Sequence, residues 1–428
     1  MVAWVGLLMA SRIDFLAGGG PFVLTPFLVL SPVILGVELT RAWMGRAEIR
    51  LPPGTARYLL ATTALFVVLL ASTFLSYELA VSARRLALLV VQAYMVFLVG
   101  LALANRPDVG RILLRGAYFG LIAVALLNAV QAVVFVAEPA WARSAAVVID
   151  LEPGTYFGVV PRLTGVSHDP NHGGLFVVFL IWLVTRLAPP SRARALFVAL
   201  SVLSVAATLS RSAVLAGLIL WAATHLAGRE LRLTVRTIWL VAGGAVTATL
   251  AYFAFPDILE PIERLGSMLS TRLTIEEGSS SDHVRLLELG WEVATENLRH
   301  LVLGIGYGSA FMVTQDIFPG NEYGNFHSLF MTLFVEAGVV AMGLGVWLFV
   351  EAIRVGGDVR PMIVALLAFN LFQQTHTEPI LWLCLMMAWV PLESSEGGQS
   401  SRPPEAFDAR VPAPFRRPES PSVPVVHT

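Results

Sequence analysis

The chain has 428 residues, 56% hydrophobic and 14% charged, with a mean hydropathy of +0.72 and a formal net charge of −1. So few charges over so much apolar surface exclude a soluble globule, and the near-zero balance excludes the clustered basic face that a nucleic-acid partner requires. A single cysteine, Cys384, excludes an intrachain disulfide and a thiolate metal cluster; inside an apolar run it reads as core packing.

Apolar runs long enough to cross a bilayer as helix recur along the chain. Spans are expected at 2–17, 21–40, 59–76, 86–104, 112–136, 172–187, 194–209, 212–227, 237–255, 327–353, 361–375 and 379–393. That is an all-α polytopic bundle of about twelve spans (10–12), with 1–393 as the transmembrane domain. The first stretch, MVAWVGLLMA, has no basic residue before it and no small-residue cleavage site after it, so it does not read as a signal peptide. Two splits set the count, at Ser210-Arg211 and at the turn THTEP (375–379).

All 29 basic residues are arginine. Fifteen of them gather in alternate short loops: Arg41, Arg46, Arg50 and Arg57; Arg106, Arg111 and Arg115; Arg186, Arg192 and Arg194; Arg229, Arg232 and Arg236; Arg354 and Arg360. With twelve spans these loops share one side, which the arginine bias makes cytoplasmic. Arg84 and Arg85 fall on the opposite side, against the rule. That outer side carries the two large loops, 137–171 and 256–326. The second is acidic, and DHVRLLELGWEVATENL within it spaces Val284, Leu287, Trp291 and Ala294 as one face of an amphipathic helix. The last segment, 394–428, is rich in Pro, Ser, Gly and charge and reads as a disordered cytoplasmic tail.

Chemistry is therefore sought at the outer edge of the membrane. Arg211, in AATLSRSAVLAGLI, has apolar residues on both sides. It faces a cavity or partner, or else snorkels from a tight turn between two spans. Arg285, on the loop helix, has Asp282 and Glu288 three residues away on either side, which offers a structural pairing as the alternative. In PRLTGVSHDPNHGG, Asp169-Pro170-Asn171 reads as a helix start, and the glycines after it permit close backbone approach. Arg162 precedes that start and is placed to reach an anion near its positive end. His327, in NFHSLFMTLFVEAG, stands between loop and span; it is either an interfacial anchor or a proton acceptor suited to near-neutral pH. His168, His172, His283, His300 and His376 compete with it on the same face. No histidine or carboxylate spacing forms a metal site.

TLSRSA, the arginine within DHVRLLELGWEVATENLRHLVLGIGYG, and HSLFMTLFVEAG occur in the order found in O-antigen ligases and related polysaccharide polymerases. The chain resembles that superfamily over roughly 155–355. His327-Ser328 is followed by nine residues and Gly338, as in the ligase motif, while the motif's last glycine is Ala341 here. GIGYG (304–308) and RLTG…DPN (162–171) resemble the wider superfamily.

The resemblance implies a multi-pass glycosyltransferase of a bacterial inner membrane, metal-independent and inverting, without a cofactor. It implies a donor glycan on polyprenyl pyrophosphate and a glycan or glycolipid acceptor at the periplasmic face. Arg211 and Arg285 match phosphate-binding positions and His327 matches the proposed base. A polymerase of the same superfamily is the alternative. A transporter of lipid-linked glycan is a third reading, and it predicts related halves and midplane polar residues. No repeat between halves is evident.

Overall fold

The computed structural model describes residues 1–15, 24–46, 50–52, 54–137, 149–156, 160–226, 278–315 and 324–390. The expected span 237–255, the cluster Arg229–Arg236, the stretch 256–277 and the tail 394–428 lie outside those residues. Helices dominate: α1 (Val2–Gly6), α2 (Pro26–Trp43), α3 (Thr55–Thr73), α4 (Leu79–Ala104), α5 (Val109–Ala137), α6 (Pro170–Leu187), α7 (Arg192–Ala207), α8 (Arg211–Leu226), α9 (Gly278–Thr295), α10 (Leu298–Leu303), α11 (Ala310–Val313), α12 (Leu329–Val355), α13 (Arg360–Phe372) and α14 (Pro379–Trp389). One antiparallel hairpin, β1 (Gly154–Tyr156) with β2 (Val160–Arg162), departs from a purely helical chain.

Six described helices are long and apolar enough to cross a membrane: α2, α3, α4, α5, α6 and α12. Both expected splits are present, since α7 ends at Ala207 before α8 starts at Arg211, and α13 ends at Phe372 before α14 starts at Pro379. The resulting segments α7, α8, α13 and α14 are 16, 16, 13 and 11 residues long. At 1.5 Å per residue they are shorter than a typical hydrocarbon core of ~30 Å. The expected twelve full spans therefore do not appear among the described residues. Every residue of α14 is buried, Cys384 included, which makes it a central helix enclosed by protein. Around the periphery, α2, α3, α5, α7 and α8 expose Val37, Leu60, Leu126, Leu203 and Leu218, as a lipid-facing rim requires.

The span expected at 2–17 is not one. α1 stops after five residues, seated on α5 where Gly116 leaves room for Val5; a Cβ there would come within 2.6 Å of it. The cause lies further on, at Arg12. This side chain is 3% exposed, and its guanidinium donates to Thr164 Oγ1 (2.6 Å) and to the carbonyls of Ser167, Asp150 and Glu152 (2.8, 2.8 and 3.0 Å). It also pairs with Asp150 at 3.0 Å. An arginine with that many partners folds the N-terminal segment against 149–167 instead of letting it run through lipid.

Several of the loop arginines are held by polar contacts between helix ends. The segment after α2 meets the α4–α5 turn, through Arg50 N–H donating to Asn105 Oδ1 (2.9 Å) and the Arg106–Glu38 ion pair. In the last turn of α6, Arg186 pairs with Asp358. Arg85, one of the two expected exceptions, donates to Gly308 O at 2.6 Å and stacks 4.8 Å over Phe311. Its position is explained by protein contacts.

α12 contains a break that its sequence does not announce. Gly338 has φ 77° and ψ −178°, and the helix is interrupted there. The freed carbonyls of Val335 and Glu336 accept N–H from Ile305 (2.9 Å) and Gly306 (3.0 Å) in the GIGYG turn. Gly338 thus serves a backbone crossing, rather than helix–helix packing as its position in a span suggests. Glu336 Oε1 accepts from Ala310 N at the start of α11 (2.9 Å), and its main-chain oxygen accepts from Ser72 of α3.

Candidate active site

The corner between α7 and α8 is built by Thr208-Leu209-Ser210. Leu209 has φ 52°, one of only two non-glycine residues with positive φ among the described residues; the other is His327 at 50°. Such conformations cost about 1–3 kcal/mol each and persist where the surroundings enforce them. Ser210 accepts Ala213 N–H at its Oγ (3.2 Å) and donates that hydroxyl to Asn171 Oδ1 (2.7 Å), so it both caps α8 and ties it to α6. Arg211 follows as the first residue of α8, half-buried. Arg162 reaches the same corner from β2: its Nε donates to Thr208 O (3.2 Å), and Leu163 N donates to Ala207 O (3.0 Å). The structure therefore brings Arg162 and Arg211 to one turn.

α6 begins as its sequence reads. Asp169 accepts from Asn171 N (2.6 Å) and His172 N (3.1 Å), with Pro170 in the first turn. Asn171 is a bridge to Ser210 and not a second cap. The glycines have the expected use: a Cβ on Gly173 would be 2.5 Å from Thr164 O, and one on Gly174 2.5 Å from Ala213 Cβ. His172 spends both ring nitrogens on the loop 373–378, Nε2 to Gln374 O (2.9 Å) and Nδ1 to Glu378 Oε1 (3.1 Å).

That loop also holds the start of α12. Leu329 N donates to Gln373 O (3.0 Å) and Thr332 Oγ1 to Gln374 Oε1 (3.1 Å). Immediately before it, His327 N donates to Asn325 Oδ1 (2.8 Å), a turn that sets the ring's backbone in its left-handed conformation, and Ser328 caps α12. The starts of α6, α8, α12 and α14 are thus linked at one end of the bundle, with their positive dipole ends gathered there. His376 in the same loop is buried, which pushes it down to about 4 and keeps it neutral; nearby His172 adds to the effect.

Arg285 comes from elsewhere. α9 packs on α12 through Leu286, Gly290 and Ala294, all buried, while Val284, Leu287 and Trp291 are exposed. The apolar face expected from sequence is therefore rotated; only Ala294 of that set is buried. The reason is Gly290, whose missing side chain admits Met331 and Phe326, the neighbours of His327; a Cβ would meet them at 2.8 and 3.0 Å. Arg285 projects from the exposed side of this helix, and among the described residues it has no ion-pair partner.

Two connections were missed in the sequence. The His172–Glu378 contact spans two distant segments, and its only local signal is an acid preceding Pro379 in THTEP. Arg12 was absorbed into an expected span.

Residues 196–346 match the family model for O-antigen ligase. The match contains Arg211, Arg285 and His327 and leaves Arg162 outside. No curated protein matches the chain.

Proposed function

We propose that this protein is a membrane glycosyltransferase that moves a glycan from polyprenyl pyrophosphate to an acceptor hydroxyl at the periplasmic face, by an inverting, metal-independent route. The observation that carries it is the coincidence of strain and convergence. The only two positive-φ non-glycine residues described are His327 and Leu209, two residues before Arg211, and both lie at the end where four helix starts are bound together. The O-antigen ligase match over the segment holding Arg211, Arg285 and His327 supports the same chemistry.

In this mechanism the lipid tail of the donor stays in the bilayer and its pyrophosphate meets Arg211 and Arg285, with Arg162 at the Arg211 corner. His327 takes the proton of the acceptor hydroxyl as its oxygen attacks the anomeric carbon. The bond from that carbon to phosphate breaks, and polyprenyl pyrophosphate leaves with the electron pair. Fixed guanidiniums and helix starts stabilise the charge that develops on it. The ring acts as general base at the boundary between lipid-borne phosphate and aqueous sugar.

Purified protein in detergent with a pyrophosphate-linked glycan tests this. Transfer is expected to persist with chelator, to be lost in His327→Ala and to fall sharply in Arg211→Lys, where a point charge replaces the fork. Full activity of His327→Ala would remove the base. A chelator effect reversed by a divalent ion would overturn the metal-free route. In a deletion strain, long chains retained on the carrier identify a ligase, and an acceptor carrying one repeat unit identifies a polymerase.

A further inference from the structure

His172 and Glu378 take no part in the chemistry above, yet their contact joins the start of α6 to the start of α14. The carbonyl of Gln374 can only accept, so His172 Nε2 carries a proton. Its Nδ1 lies 3.1 Å from Glu378 Oε1, so the two groups share one further proton and form a net-neutral pair. The side chains are 16% and 21% exposed, and in such surroundings a charged or proton-sharing contact is little screened.

What the pair joins matters more than its own energy. On one side, His172 follows Asn171, which holds Ser210 at 2.7 Å and with it the first turn of α8 carrying Arg211. On the other, Glu378 closes the loop whose Gln373 and Gln374 hold Leu329 and Thr332, the first turn after His327. A path from the Arg211 corner to the His327 segment therefore runs through the His172 ring, which holds both Gln374 and Glu378. Two directional contacts from one ring, Nε2 to Gln374 O (2.9 Å) and Nδ1 to Glu378 Oε1 (3.1 Å), hold the spacing of these helix starts, and loss of Glu378 leaves the ring free to pivot about the first.

We propose that His172 and Glu378 are positioning residues that fix the spacing between the Arg211 corner and His327 without touching substrate. This rests on the function proposed above. A reacting group misplaced by about 1 Å costs on the order of 100-fold in rate. His172→Phe, which keeps a ring beside Phe369, and Glu378→Ala are each expected to lower kcat about 10- to 100-fold. The KM for the donor should stay within about threefold, because the arginines remain. The double variant should be no worse than His172→Phe alone, since that change already removes the contact that Glu378→Ala breaks. Glu378→Gln should restore most of the loss seen in Glu378→Ala, its amide N–H donating to Nδ1.

Multiplicative losses in the double variant, a loss confined to KM, or unchanged activity would each overturn the proposal. If the Phe or Ala variants do not fold, Glu378→Gln and Glu378→Asp carry the test: near-wild-type kcat in the first and a kcat-only loss in the second are expected. Wild-type protein inactive on a pyrophosphate-linked glycan would sink the function and leave the pair open to a separate reading. Its coupling would then be measured in thermal unfolding of the same four proteins. Non-additive midpoints would retain the contact between the two segments, and additive ones would remove it.

Discussion

The break in α12 gives a prediction whose size follows from the geometry. Gly338→Ala places a Cβ on a backbone at φ 77° and ψ −178°, a region open essentially to glycine alone, at about 1–3 kcal/mol. That Cβ would also lie 2.1 Å from Val302 O and 2.3 Å from Val302 C. These are main-chain atoms and cannot rotate aside. Relief requires moving the end of α10 from α12, which weakens the hydrogen bonds from Ile305 N and Gly306 N, about 0.5–1.5 kcal/mol each. The sum is roughly 2–6 kcal/mol.

Gly343 in the same helix is the control, because it is exposed and an added Cβ there meets nothing within 4 Å. Gly343→Ala should be neutral or gain up to about 1 kcal/mol of helix propensity. Thermal unfolding of both variants in one detergent, followed by tryptophan fluorescence, checks the contrast. Gly338→Ala is expected to melt several degrees lower. Midpoints agreeing within a degree or so would refute the account of the break, since both changes add the same methyl to the same helix.

Arg12→Met should cost on the order of 3 kcal/mol in the same assay, because three carbonyls and Thr164 lose a buried charged donor; Arg12→Lys should recover part of it, and an unchanged midpoint would remove the clamp. Hydrogen bonding from His168 and the nearby Arg12 charge hold the Asp150 carboxyl below its usual range. Its contribution is therefore complete above the ordinary carboxylate pKa and is lost as pH falls through the lower folded value. Asp150→Asn should thus be less stable than wild type at pH 7, by under about 1 kcal/mol at this partly exposed site, with the gap closing below about pH 4; a pH-independent gap would refute it. Arg85→Ala removes the bond to Gly308 O and the stacking on Phe311, and amide exchange in 304–313 should rise; unchanged exchange would show that the turn is held from α12 alone.

Local signals in the sequence survived well. The cap at Asp169, the helix break before Arg211 and the turn at 375–378 depend on residues within a few positions of one another, and each is where the pattern puts it. The departures are all long-range. Arg12 binds partners 138 to 155 residues away, so an apolar window around it reads as a span. The face of α9 is set by Gly290, which a hydrophobicity pattern scores as nothing, although a missing side chain lets Met331 and Phe326 approach. Gly338 reads as a packing glycine because only its dihedral angles reveal the break. The candidate residues themselves were legible as types and order; the bonds that gather Arg162 with Arg211, and the His327 segment with α6, were not.

Gly290 links this packing to the proposed chemistry. Arg285 lies five residues before it on α9, on the exposed side, so the distance at which α9 rests on α12 sets how far Arg285 reaches over the site. Gly290→Ala puts a methyl 2.8 Å from Met331 Cγ and 3.0 Å from Phe326 Cδ1, contacts that flexible side chains relieve by a shift of a few tenths of an ångström. Folding should survive, and kcat/KM for the donor should fall severalfold as the guanidinium is displaced from the developing charge. If the effect passes through Arg285, adding Gly290→Ala to Arg285→Ala should change nothing further, because the group being misplaced is already gone. An equal loss in both backgrounds would refute that route. The displaced group would then be His327, reached through Phe326 and Met331, and α9 would act on the base rather than on the phosphate.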